Sequence, residues 1–106
     1  MTSRSLRVVI PQQVADFVRG QAPAARHRLR LAIRDLAYER GDIEVLDGAL
    51  EGYHRLRVGP FRIVFAYASS KSGACIQCIF IEHRSVVYLL LENMLHRGLL
   101  KPDKGS

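Results

Sequence analysis

The stretch that decides the fold is Tyr53-His54-Arg55-Leu56-Arg57-Val58-Gly59-Pro60-Phe61-Arg62-Ile63-Val64-Phe65. Two runs of alternating side chains flank Gly59-Pro60, and so short a join predicts an antiparallel hairpin. With a two-residue loop, Val58 pairs with Phe61, Leu56 with Ile63 and His54 with Phe65, which puts these six on one mostly apolar face. The same register sets Arg57 opposite Arg62 and Arg55 opposite Val64, sending Arg55, Arg57 and Arg62 to the other face beside Tyr53. A slip of one residue would mix arginines into the apolar set, so burial excludes it. Like charges directly opposed on a strand pair cost roughly 0.2–1 kcal/mol, and Arg57 opposite Arg62 therefore requires a reason. One reason is screening or salt bridges to Glu82 or Glu51. The other is an anion site, in which guanidinium forks grip a phosphate and stabilise charge that builds on it.

Outward from the hairpin, Cys75 to Arg84 reads as a further strand, joined to Phe61–Ala68 by a short turn over Ser69 to Ala74, so the sheet is expected to run as an antiparallel meander. Upstream, Leu6, Val8 and Ile10 suggest a short first strand ending at Pro11, which suits the first turn of a helix. Val14, Phe17 and Val18 carry that helix to Gly20. Ala25, Leu29, Ala32, Ile33, Leu36 and Ala37 form the stripe of a second helix after Pro23, with Gly41 as its expected cap. Arg26, Arg30 and Arg34 line its other side as a solvated face, with a nucleic-acid or antitoxin contact as the alternative. Residues 42 to 52, rich in Gly and Asp, read as a loop. Val86 to Leu91 is apolar enough for strand or helix, and the later spacing of Leu90, Leu91, Met94 and Leu95 favours a terminal helix. The fold class is thus α+β, an N-terminal strand and helical hairpin packed on an antiparallel meander. One domain is expected over residues 1–100, with a mobile tail over 101–106.

Composition narrows the function classes. At 48% hydrophobic and 25% charged, the 106-residue chain should fold. Sixteen Lys and Arg against ten Asp and Glu leave a formal charge of +6, most of it from Arg, which points to a polyanionic partner. No apolar run approaches the roughly 20 residues that span a bilayer, and Val8, Val9 and Ile10 are too few for a signal peptide before Pro11. A cytoplasmic protein without a membrane partner is expected. Cys75 and Cys78 stand three apart on a predicted strand, so their thiols diverge and read as small core residues rather than a redox or metal pair. His27, His54, His83 and His96 fall on separate elements without ligand spacing, and no metal or cofactor is expected.

The stretch from Leu50 to Phe65 resembles the RelE/ParE pattern of Tyr-Arg-x-Arg-x-Gly-x-aromatic-Arg followed by hydrophobic residues. His83-Arg84-Ser85-Val86-Val87-Tyr88 resembles that family's closing motif of His-Arg-x-x-x-Tyr. In this order, the resemblance covers about residues 4 to 97. It implies the toxin of a type II toxin-antitoxin system, with a cognate antitoxin as partner. RelE-like members cut messenger RNA on the ribosome; ParE-like members are non-enzymatic poisons of DNA gyrase; a homologue that only binds its antitoxin is the third alternative. The RNase reading implies a metal-independent endoribonuclease in which the RNA 2′-hydroxyl attacks the adjacent phosphate. Carried over by motif, Arg62, Arg84 and Tyr88 are the implied catalytic residues, while Arg55 and Arg57 bind RNA phosphate. Where ribonucleases of the family often carry a strand lysine this hairpin has none, and arginine is a poor general base. His83, Tyr88, His54 and Glu82 are the candidates for that role, with His54 and His83 read first as structural.

Overall fold

In the computed structural model, which describes residues 5–71 and 73–98, the hairpin forms in the register expected. Strand β3 (His54–Val58) pairs antiparallel with β4 (Phe61–Ser70) through Val58 and Phe61, Leu56 and Ile63, and His54 and Phe65, with Arg57 opposite Arg62. Gly59 takes φ +57°, the left-handed value at the first central position of a type II′ turn, and Pro60 follows with its ring-fixed negative φ. Around this hairpin the sheet order is β1-β5-β4-β3-β2, with β1 at Arg7–Val9, β2 at Asp42–Val45 and β5 at Gly73–His83. Strands β2 to β5 form the antiparallel meander, and β1 adds to β5 in parallel, which makes the sheet mixed.

Helix α1 (Gln12–Arg19) and helix α2 (Pro23–Leu36) form the expected hairpin. They bury Val14, Val18, Leu29, Ile33 and Leu36 against Leu56, Val58, Ile63, Phe65, Ile76, Cys78 and Ile81. A bulge in β5 makes this face continuous. Phe65 pairs with Cys78 but Val64 with Phe80, so Ile79 is the extra residue and the alternation shifts by one. Cys78 and Ile81, three apart, thereby both lie beneath the helices, while Phe80 turns to the other face. Beyond β1, the outer edge of β5 is capped by a side chain. Gln13 donates to the carbonyl of Ile81 (2.8 Å) and accepts from its N–H (3.0 Å), taking the place of a neighbouring strand.

The opposite face carries helix α3 (Val87–His96), which confirms the helical reading of the apolar C-terminal run. Val87 and Leu91, one turn apart, close a second cluster with Leu50, Tyr53, Val64, Ala66 and Phe80.

Two boundaries differ from expectation. Helix α2 stops at Leu36, before Gly41. Glu39 takes the left-handed φ of 57° instead, while Arg40 N–H bonds back to the Asp35 carbonyl (3.2 Å) and Glu39 N–H to that of Leu36 (2.8 Å). The Tyr67 hydroxyl, donating to the Glu39 carboxylate at 2.6 Å, holds that residue in place. Residues 42 to 52 are likewise not wholly loop, since Asp42–Val45 is strand β2 and Gly48–Leu50 a 3-10 turn. The expected tail at Lys101–Ser106 lies outside the described residues.

Candidate functional site

Three of the arginines singled out in the sequence emerge together on the face away from α1 and α2, for the reason the register requires. Their surroundings are not uniform. Strand β2 sets Asp42 opposite Arg57 and Glu44 opposite Arg55. Arg55 bonds to the Asp42 carboxylate (3.1 Å) and carbonyl (3.0 Å), and it also pairs with the Glu44 carboxylate. Its side chain is only 12% exposed. Burial works against the Arg55 charge, but the hydrogen bonds to Asp42 and Glu44 outweigh it and raise its pKa further. Arg57, more than half exposed, approaches Asp42 through Nε at 2.6 Å. The hydrogen bond from Arg55, against some desolvation and helped by the Arg57 charge, holds the Asp42 carboxyl below the usual carboxylate range. The repulsion anticipated between Arg57 and Arg62 is thus relieved by Asp42, not by Glu82 or Glu51.

Arg62 is different. Its guanidinium turns back to the hairpin loop and donates to the carbonyls of Gly59 and Phe61, both at 2.9 Å, with no carboxylate in ion-pair range among the described residues. Two carbonyl bonds orient the group without neutralising its charge. Arg84 comes to the same turn from β5, where its backbone N–H donates to the Pro60 carbonyl at 2.8 Å. The Arg84 side chain is exposed and, among the described residues, unpaired. The structure therefore gathers Arg57, Arg62 and Arg84 at the turn end of the sheet and leaves Arg55 further along the strands, tied to β2.

The remaining candidates separate by face. Glu82 is the cross-strand partner of Arg62, so the two share a face, and Glu82 is half-buried there. His83 pairs with Phe61 and belongs to the helical side. Its Nδ1 lies 3.0 Å from the Ser85 hydroxyl and accepts the Ser85 N–H at 3.3 Å, which makes it a cap for the turn after β5. His54 is stacked on Phe65 and edge-on to Tyr67, and burial lowers its pKa. Both histidines have the structural settings expected of them. Tyr88, in the first turn of α3, packs half-buried on the second cluster. Cys78 joins the core under the helices, and burial pushes its thiol up to about 12, well above a reactive range. Among the described residues, no group of three His, Cys, Asp or Glu side chains could hold a metal ion.

Three neighbours of the site escaped the sequence reading. Asp42 and Glu44 fell in the presumed loop, although two acids at alternate positions matching two arginines at alternate positions form a signal for cross-strand pairing. Arg28 of α2 lies against the turn, its Nη1 only 3.0 Å from where a Cβ on Gly59 would stand. Its position in one row with Ala25 and Ala32 gave the sole hint that it faces the sheet.

An α+β architecture with two helices on one side of a mixed sheet and a basic turn end defines the class of protein to which this fold belongs. Structural comparison identifies the fold. The chain is similar to a YoeB/ParE toxin from Agrobacterium tumefaciens, with TM-score 0.60 and 20% identity over 74% of this chain and 99% of that one. It is also similar to a chain of the archaeal RelE-RelB complex from Pyrococcus horikoshii (TM-score 0.58, 24% identity, 76% and 96% covered). The RelB-RelE antitoxin-toxin complex from Methanococcus jannaschii gives TM-score 0.54 and 18% identity over 77% and 96%. No family model matches the chain, and no curated protein matches it in sequence. The fold is the RelE/ParE-like toxin fold. No helix among the described residues is long and apolar enough to cross a membrane.

Proposed function

We propose that this protein is the toxin of a type II toxin-antitoxin pair and a metal-independent endoribonuclease that cuts messenger RNA on the ribosome. The observation that carries this reading is the charge at the turn end of the sheet. Arg62 is oriented by two carbonyls, Arg84 arrives beside it, and neither has a carboxylate partner among the described residues. A preorganised donor such as Arg62, with the unpaired charge of Arg84 at the same turn, stabilises negative charge most where it accumulates, on the phosphoryl oxygens of the transition state. In the proposed step the 2′-oxygen bonds to phosphorus and the bond to the next nucleotide's 5′-oxygen breaks, that oxygen taking a proton from solvent water, which leaves a 2′,3′-cyclic phosphate and a 5′-hydroxyl. Arg62 and Arg84 bind the phosphate, and Arg57, exposed beside Asp42, contributes from the adjacent strand. Glu82, on the face of Arg62, accepts the 2′-hydroxyl proton in place of the missing lysine. Tyr88 orients the substrate or stacks on a base.

Arg55 enters this reading with a smaller part than the motif implies, because Asp42 and Glu44 occupy its donors. That same pairing is what favours the alternative, a ParE-like gyrase poison, in which charge pairs on the sheet need not be free. An antitoxin partner is supported by the complexes among the similar structures and by Leu89 and Leu90, exposed on α3. The deciding experiment sets purified protein on ribosomes programmed with a defined message beside a gyrase supercoiling reaction. Cleavage within the A-site codon that slows steeply in Arg62→Ala and Arg84→Ala is expected. Gyrase arrest with an intact message would overturn the RNase reading.

A further inference from the structure

Arg28 is the cation at this turn that the sheet does not supply. It comes from α2, on the far side of the sheet from Arg62, and its guanidinium lies against Gly59 at the turn end. Among the described residues it has neither a hydrogen bond nor an ion pair. Beside it the start of α2 and the hairpin turn enclose a crevice of about 240 Å³, whose lining is Ala24, Ala25, Val58, Pro60, Phe61 and Arg28 itself. Every wall but one is apolar, and the one charged group is unpaired. The Phe61 ring on that wall is held edge-on by Phe17, with centroids 5.6 Å apart. Burying small apolar side chains around an aromatic edge and leaving a free guanidinium at the rim suits a ligand with a flat apolar body and an anionic group, which is the chemistry of a nucleotide in a single strand.

Arg62 and Arg28 bracket the same loop from opposite faces, since Arg62 donates to the Gly59 carbonyl and Arg28 covers the Gly59 Cα side. A strand whose phosphate sits at Arg62 has a short way past this loop onto α2. We propose that Arg28 and the crevice form a subsite for the nucleotide next to the scissile phosphate, with the guanidinium on its phosphate and its base against Pro60 and Phe61. The inference rests on the RNase reading and extends it from one phosphate to a path that runs over the end of the sheet onto α2.

The test titrates programmed ribosomes against the protein under single-turnover conditions, with Arg28→Gln, Arg28→Lys, Ala24→Leu and Arg34→Gln as variants. Arg34, paired with Asp35 at the other end of α2, is the control for loss of one surface charge. Loss of a charge-assisted contact should raise the half-saturating concentration for Arg28→Gln by roughly tenfold, with partial recovery in Arg28→Lys. Ala24→Leu keeps the charge but fills the crevice, and it should raise that concentration too. Arg62→Ala should instead lower the maximal rate. Melting curves like the wild type's for Arg28→Gln and Ala24→Leu are expected and separate binding from folding. Ribosome titration curves for Arg28→Gln and Ala24→Leu that overlay wild type, or a loss of affinity in Arg34→Gln equal to that in Arg28→Gln, would overturn the subsite while cleavage by wild type leaves the RNase reading standing. An intact message with wild type would remove both.

Discussion

On the face of the sheet that carries α1 and α2, Val14, Leu29 and Leu36 meet Leu56, Ile63, Phe65 and Ile81, and none of the arginines of β3 or β4 points there. On the face that carries α3, a smaller cluster around Tyr53, Val64 and Leu91 shares its surface with Arg55, Arg57 and Arg62. One hairpin supplies both sets by strict alternation, so the two faces divide the work. Burial on the first holds the chain in one register, and that register is what delivers the guanidinium groups to the second. Arg57 and Arg62 thus sit on rigid strands rather than on a loop, which favours fixed donor geometry.

The comparison can be broken most severely from the buried side. Phe65→Ala, which empties a fully buried position, should cost about 3–5 kcal/mol in a denaturant melt, whereas a loss under about 1 kcal/mol would mean this face is not the core. From the open side, Arg62→Ala should leave the melt nearly unchanged and lower the cleavage rate by roughly 10²–10³, the scale for one preorganised donor. An unfolding loss comparable to that of Phe65→Ala would merge the two faces into one structural unit. At the loop that joins them, Gly59→Ala places a side chain in the left-handed region and should cost about 1–2 kcal/mol. The Tyr53 hydroxyl is buried in the second cluster without a hydrogen-bond partner among the described residues, so Tyr53→Phe should hold or raise stability, by about 1 kcal/mol at most. A fall would reveal a bond that the hydroxyl makes.

The smallest effect is one of pH. Burial lowers the His54 pKa from its ordinary 6.5, so the unfolded chain takes up a proton that the folded one resists. His54 therefore contributes its full share above that value, and stability declines as the pH falls below it. The urea midpoint of wild type should drop more between pH 7 and 5.5 than that of His54→Phe. Equal drops would place the imidazole in solvent-like surroundings.

Much of this was legible before any coordinates. The register of β3 and β4 follows from apolar spacing and a two-residue loop, because a slip would bury charge. What the chain conceals is set by distant partners. Asp and Glu are poor strand formers, and in β2 only Ile43 is half-buried, so Asp42–Val45 becomes a strand because β3 lies beside it. The end of α2 departs from its expected cap because glycine is the usual left-handed residue, yet here Glu39 takes that place under the hold of Tyr67, which is far off in sequence. Missing β2 also hid the carboxylates that neutralise Arg55. Arg28 joined the site only when α2 was packed across the hairpin turn.

The most direct measurement is the chemistry of the cut ends on a message held in programmed ribosomes. Wild type should leave a 2′,3′-cyclic phosphate at the A-site codon, and the variants Arg62→Ala and Arg84→Ala should form it far more slowly. A message cut as well by Arg62→Ala as by wild type would contradict the assignment of the turn-end guanidinium groups to the scissile phosphate.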